Sequence, residues 1–382
     1  MARCPGSPRP DRPEQVALAP PARRQGLKAL ATLALLAVAA TGPVAWAAGA
    51  ERPRHGRHRK PENRGPSYAG HPAAQAFVAD VVARRGLPEP WLQRALAGAH
   101  RSEPVRRLIM PPPAGTAKDW AAYRARFVEP RRIAAGVAFW RDHEAWLAEA
   151  EARWGVPPEI VVAIVGVETF YGRITGRFRV VDALATLAFD FPPGRRDRSA
   201  FFREQLEEYL VWCQREDLNP GDTRGSYAGA IGLPQFMPGS INRFAVDMDG
   251  DSHIDLLRQP ADVVGSVARF LAVHGWQRGM PTHFGVAVPV DTADRAALLA
   301  PDILPSFTAA QLRARGAELP EDARAHPGLL ALVELQNGDA APSHVLGTAN
   351  FYAVTRYNWS AYYAMAVIDL AAELRRGFAQ RG

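Results

Sequence analysis

Cysteine is almost missing from this 382-residue chain, which carries only Cys4 and Cys213. Cys4 lies in a leader-like N-terminal segment, so the remainder keeps one thiol and no intrachain disulfide can staple it. Cys213, inside EEYLVWCQRE, reads as a small buried helical residue. Long apolar runs are scarce as well. The candidate ALATLALLAVAATG (29–42) is short for a membrane span, follows Arg23, Arg24 and Lys28, and leads into Ala45-Trp46-Ala47. That order predicts export with residues 1–47 as a removable signal peptide, a retained anchor being the alternative. No cysteine closely follows the run, which argues against a lipid-modified N-terminus. A basic field is also missing from the folded part. The formal charge of +7 is held by residues 1–47 and 51–66, each about +4, which leaves about −1 for residues 67–382. Nothing there would gather a polyanion, so nucleic acid is not expected as a partner. No internal repeat is visible.

What is present is mostly helical pattern. Residues 48–66 have little to bury and read as a disordered basic linker. Residues 67–155 read as an N-terminal helical region: HPAAQAFVADVVARRG, EPWLQRALAGAHR, a turn at Pro111–Pro113, and RRIAAGVAFWRDHEAWLAEAEARWG as one long amphipathic helix. The next stretch, VPPEIVVAIVGVETFYG (156–172), organises the reading. Pro157 and Pro158 suit a first helical turn, Glu159 suits its positive end, and Gly172 offers a stop. Val161, Ile164, Val165 and Glu168 recur at helical spacing, which puts a carboxylate on an apolar stripe. Such a carboxylate loses hydration, and its pKa rises toward the range useful to a proton donor.

Further along, VVDALATLAFDFP is a short helix or an extended run, and AFFREQLEEYLVWCQRE (200–216) an amphipathic helix. GSYAGAIGLPQFMP holds Gly225, Gly229 and Gly232 around Gln235; a backbone this open could approach an uncharged polyhydroxyl ligand, though a tight connecting loop would be equally glycine-rich. ADVVGSVARFLAVHGW (261–276) returns to helix and ends at Gly275. Between 282 and 347 the character changes: VAVPV and ALVELQN alternate like strands around a short helical AAQLRARG. The segment 348–382 ends in an amphipathic helix, YAMAVIDLAAELRRG, expected to pack back on a core formed by 156–281.

GVETFYG, DALATLAFDFP, GSYAGAIGLPQFMP, AVDMDGDSHIDL, GSVARFLAVHGW and NFYAVTRYN followed by YAMAV occur in this order. Together, from about His71 to Gly377, they resemble the lytic murein transglycosylase B family of lysozyme-like glycan-cleaving enzymes. The resemblance implies a mainly α (α+β) fold: a lysozyme-like helical core with an N-terminal helical layer and a small β-containing insertion. It implies cleavage of the MurNAc–GlcNAc β-1,4 bond of peptidoglycan glycan strands in the periplasm or cell wall, leaving 1,6-anhydro ends. It needs no catalytic cofactor, and Glu168 would serve as acid and then base. A muramidase-type hydrolase and a non-catalytic wall-binding protein are the alternatives.

The resemblance also assigns glycan contacts to Ser226, Gln235, Asn350, Tyr352 and Tyr357, with Tyr357 a candidate hydrogen-bond partner of Glu168 or the sugar. A family arginine pair that grips the polymer maps on Arg195 and Arg196, with Arg198 competing. Asp247, Asp249, Asp251, the His253 carbonyl and Asp255 match positions of an EF-hand-like loop that would hold structural Ca²⁺. Two positions depart from that pattern: Ser252 stands at the turn glycine and Arg258 at the closing acid.

Overall fold

The computed structural model describes residues 65–111, 118–288 and 292–380. The expected signal peptide, the linker up to residue 64, Pro112-Pro113 and the end of VAVPV lie outside the described residues. The N-terminal layer is α1 (Pro72–Arg85), α2 (Glu89–Ala97), α3 (Glu103–Leu108), α4 (Trp120–Ala125), α5 (Pro130–Asp142) and α6 (Glu144–Trp154). Its helix ends follow ordinary capping chemistry. Gly86 closes α1 in the left-handed region, while Ser102, Asp119 and Glu129 accept backbone N–H groups at the starts of α3, α4 and α5. The stretch expected as one long helix is broken at His143, whose backbone (φ −128°, ψ 24°) leaves the helical region. The break lets Phe139 and Trp140 on one side, and Leu147 and Ala150 on the other, each reach the core.

At the centre lies α7 (Pro158–Thr169), against which α5, α6, the later helix α11 (Pro260–Val273) and the terminal helix α16 (Ala361–Ala379) pack. Contact on several sides explains why the sequence is apolar all round rather than striped. Every residue from Glu159 to Thr169 is buried except Glu168. Full burial of Val161, Val162, Ile164 and Val165 contributes about 1.5–3 kcal/mol apiece. Glu159 is buried at the positive end of the helix and pairs with Arg375 of α16.

β1 (Phe178–Arg179) and β2 (Arg224–Gly225) form a short antiparallel pair. Between them run α8 (Val180–Phe189), which settles the ambiguous VVDALATLAF as helix, and α9 (Ser199–Arg215), with Cys213 fully buried. α10 (Pro238–Phe244) then leads toward α11. The insertion carries β3 (His283–Gly285), α12 (Thr292–Leu299), α13 (Ala309–Ala314), α14 (Glu321–Ala325), β4 (Ala331–Asn337) and β5 (Ala340–Gly347). Its sheet is antiparallel, in the order β3-β5-β4, over its own apolar cluster of Leu298, Leu312, Leu330, Leu332 and Leu346. The strand expected at VAVPV falls earlier, at His283–Gly285, and Ala287 makes only an isolated bridge to Glu318. α15 (Ala349–Thr355) and α16 return the chain to the core. Among the described residues no helix is long and apolar enough to cross a membrane.

Candidate active site

The last turn of α7 carries the half-buried Glu168 and comes to an abrupt stop. The expected Gly172 stop comes two residues late: Phe170 (φ 51°) and Tyr171 (φ 57°) already take left-handed backbone, and Gly172 (φ 83°) completes the turn. Thr169, fully buried, stitches this turn to the glycine-rich loop. Its hydroxyl donates to the Leu233 carbonyl (2.9 Å) and accepts from the Gly172 N–H (3.0 Å). The next residues of that loop are held as well. The Pro234 carbonyl accepts from the Tyr357 hydroxyl (2.8 Å), and the Gln235 Nε2 donates to the carbonyls of Thr175 (3.1 Å) and Gly232 (2.8 Å).

Among the described residues Glu168 has one side-chain partner, the hydroxyl of Tyr363, which donates to Oε1 at 2.8 Å. Burial pushes the carboxyl pKa up to about 8, and the Tyr363 bond, which favours the charged form, opposes the rise. Neither cause is a charged neighbour, so the group is neutral near pH 7 for want of water rather than through repulsion. The Tyr357 and Tyr363 rings stack at 6.3 Å, which links the loop, the return segment and the acid in one cluster.

Each expected residue can now be placed. Ser226 is nearly buried, and its hydroxyl oxygen accepts from the N–H groups of Ala228 (3.3 Å) and Ala230 (3.0 Å), leaving its own hydrogen to donate. Gln235 adopts φ 50°, and its amide keeps an acceptor oxygen without a partner among the described residues. Tyr357 donates to Pro234 rather than to Glu168, which corrects only the Glu168 half of that expectation. Asn350 is also corrected. It is fully buried, accepts from the Gln277 N–H (2.7 Å) and donates to the carbonyls of Gln277 and Met280 (both 2.8 Å). With Thr348, which donates to the Pro281 carbonyl (2.7 Å), it clamps the two ends of the insertion together. With both amide N–H groups donated and no surface exposed, Asn350 is out of a ligand's reach. Tyr352 is half-buried and sits edge-on to Trp359, with the Arg356 guanidinium over both rings.

Arg195 donates to the Ile109 carbonyl and lies near enough to Tyr227, next to Ser226, to act on its phenol electrostatically. Arg196 is exposed. The competing Arg198 lies over Phe201, has a buried Nη2 without a partner, and is pushed down to about 10 by burial and by its two arginine neighbours.

Two residues were missed. Tyr363 heads the buried stripe of α16 (Ala366, Val367, Leu370, Ala371, Leu374); a phenol at a core position was the available signal. Asn358, the last residue of NFYAVTRYN, has a buried Nδ2 without a hydrogen-bond partner. This buried amide donor, next to Tyr357 in the chain, is unpaired among the described residues.

In the acidic loop, carboxylate oxygens of Asp247, Asp249 and Asp251 lie within 4.8 Å of one another. Ser252 takes φ 73° at the turn-glycine position, so that departure is accommodated. Asp255 does not join the cluster. Asp255 Oδ1 accepts from the N–H groups of Leu257 (2.8 Å) and Arg258 (3.0 Å), and the His253 ring turns toward Glu216 (3.8 Å). Asp262, from the first turn of α11, pins the loop from behind by accepting from the N–H groups of Met248 and Asp255 (both 2.8 Å). Three convergent carboxylates fit a hard divalent cation, whereas Arg258 supplies no closing acid.

A single neutral carboxylic acid, opening from a buried helix beside a glycine-rich loop and an aromatic return segment, defines a lysozyme-like glycan-cleaving enzyme. The chain belongs to the transglycosylase SLT domain family, whose model matches residues 69–372. It is 38% identical over 314 residues to membrane-bound lytic murein transglycosylase B of Escherichia coli (strain K12), covering 80% of this chain and 83% of that protein. The crystal structure of soluble lytic transglycosylase SltB1 from Pseudomonas aeruginosa superposes with a TM-score of 0.74 at 39% identity, over 81% of this chain and all of that one. E. coli Slt35 in complex with calcium gives 0.72 at 36%, over 83% and 97%. The fold is thus the mainly helical, lysozyme-like one expected.

Proposed function

We propose that this chain is a peptidoglycan lytic transglycosylase in which Glu168 is the single acid and base. The observation that carries the reading is the state of Glu168: a half-buried carboxyl at the end of an otherwise buried helix, raised to about 8 by loss of hydration and not by a charged neighbour. The protonated carboxyl donates to the glycosidic oxygen as the C1–O bond of MurNAc breaks. The MurNAc 6-hydroxyl then closes on C1, and the Glu168 carboxylate takes the proton that this hydroxyl releases. One carboxyl thus serves both half-steps, because the nucleophile belongs to the substrate. Tyr363 holds the carboxylate between them. The Ser226 hydroxyl, the Gln235 oxygen and the Asn358 amide supply polar groups for hydroxyl and acetamido substituents, and Tyr352 an aromatic one. Arg195, Arg196 and Arg198 face the anionic groups of the polymer.

Asp247, Asp249 and Asp251 would hold a structural Ca²⁺, which takes no part in the chemistry. Export belongs to the same proposal, since the leader pattern of residues 1–47 would carry the enzyme to a substrate outside the cytoplasmic membrane, without a lipid anchor. Folded Glu168→Gln should release 1,6-anhydro muropeptides from sacculi at least about 10³-fold more slowly than wild type. Release at the wild-type rate would reject the assignment.

A further inference from the structure

Two non-glycine residues in left-handed backbone directly after a catalytic acid require something to hold them there. Phe170 and Tyr171 are such residues, and their side chains go in different directions. The Phe170 ring lies between two guanidinium groups, Arg132 at 4.9 Å and Arg173 at 4.8 Å. The Tyr171 ring runs inward, 5.5 Å from Phe139 of α5. Its hydroxyl is buried and has no hydrogen-bond partner among the described residues. A Cβ on Gly136 of α5 or on Gly166 of α7 would collide with that hydroxyl, so two glycines on facing helices cut the slot that the ring fills. Leu374 of α16 closes the same slot against Gly136. A tyrosine whose hydroxyl bonds none of the described residues is seated there for its shape.

We infer that Tyr171 is a positioning residue for Glu168: its ring, wedged between α5 and α7, fixes the left-handed turn that ends α7 one residue past the acid. The inference rests on the reading of Glu168 as the acid. The turn also sets the distance from Glu168 to the glycine-rich loop, because Thr169 bonds both Gly172 and Leu233. Gly172 packs on the Leu233 side chain from the same side. Without the wedge, Thr169 to Gly172 can relax to ordinary backbone, α7 can fray by a turn, and water gains the Glu168 carboxyl. Among the described residues the groups facing that carboxyl are the phenols of Tyr363, Tyr357 and Tyr123, each raised by burial, with Tyr363 the only hydrogen-bond partner; none of the three phenols ionises between pH 5 and pH 9.

The test compares Tyr171→Phe and Tyr171→Leu with wild type on soluble, uncross-linked glycan strands, below the melting temperature of each. Phe keeps the wedge and removes an unsatisfied hydroxyl, so kcat should stay within about twofold and Tm should not fall. Leu should lower kcat by about 100-fold with KM nearly unchanged, the size expected of a misplaced catalytic group. Leu should also move the alkaline limb of the kcat profile to lower pH, as the carboxyl is rehydrated. If Leu does not fold, Tyr171→Met, whose flexible chain occupies part of the slot without acting as a rigid wedge, carries the same prediction. A folded Leu or Met variant with wild-type kcat and an unmoved alkaline limb would overturn the inference, because a merely structural ring would change Tm alone. Glu168→Gln run in parallel separates the two readings: if it stays active the acid is misassigned, and if it is inactive beside a normal Leu variant only the wedge falls.

Discussion

Glu168 and the loop from Asp247 to Asp251 hold carboxyl groups in opposite ways. Glu168 stands alone in apolar surroundings, has one phenol as partner, and is raised to about 8 by burial. Asp247 is half-buried; loss of hydration pushes its carboxyl up, but the Ser252 and Gly250 N–H groups that it accepts from together outweigh that push, so it lies below the usual carboxylate range. The first arrangement stores a proton at neutral pH; the second stores negative charge for a cation. Chemistry needs the former, and a structural ion needs the latter.

The largest test of this contrast is to neutralise one acid at each place. Glu168→Gln should cost at least about 10³-fold in turnover, whereas Asp247→Asn should leave kcat within about twofold. Equal losses would erase the distinction. Next in size is Tyr363→Phe. Its hydroxyl stabilises the charged form, so losing the bond should lower kcat about tenfold and move the alkaline limb of the pH–rate profile upward.

Stability should respond with opposite signs. Glu168 has a folded-state pKa above its unfolded value, so the folded protein holds the proton more tightly and loses stability as pH rises from about 4.5 toward 8. Glu168→Gln should therefore gain more over wild type at pH 9 than at pH 4, by about 1–2 kcal/mol once solvent access to the carboxyl is discounted. Asp247 is depressed, so what it contributes is present above its unfolded pKa and fades as pH falls through its lower folded one. Thermal melts of wild type, Glu168→Gln and Asp247→Asn across this range would show both slopes.

The smallest effect concerns calcium. At tenfold excess over its Kd the ion should stabilise by about 1.4 kcal/mol, and Asp249→Asn should remove the gain. Arg258→Glu, restoring an acid at the closing position, should enlarge it. A melting curve indifferent to calcium in both wild type and Arg258→Glu would end the metal reading.

The sequence made α7 legible because two prolines and a dense apolar run leave few other structures. The order of motifs carried the fold further than periodicity could. What stayed hidden depends on contacts between distant residues. Nothing local distinguishes Asn350 from Asn358, yet the first closes the neck of the insertion and the second, next to Tyr357 in the chain, is unpaired among the described residues. The turn at Phe170 and Tyr171 was invisible because Gly172 looked like a sufficient stop; the slot that stabilises the turn is cut by Gly136, more than thirty residues earlier. VAVPV alternated like a strand, but β5 pairs with His283–Gly285 just before it. The break at His143 carries no glycine or proline to announce it.

The central claim is that one neutral carboxylic acid suffices because the nucleophile comes from the substrate. Digestion of sacculi in ¹⁸O-labelled water, followed by mass spectrometry of the released muropeptides, tests it most directly. The account predicts anhydro products, lighter by one water than the reducing-end species and free of label from the first turnovers onward. Reducing ends that carry one ¹⁸O would contradict it, since water would then be the nucleophile and a second base would have to be found.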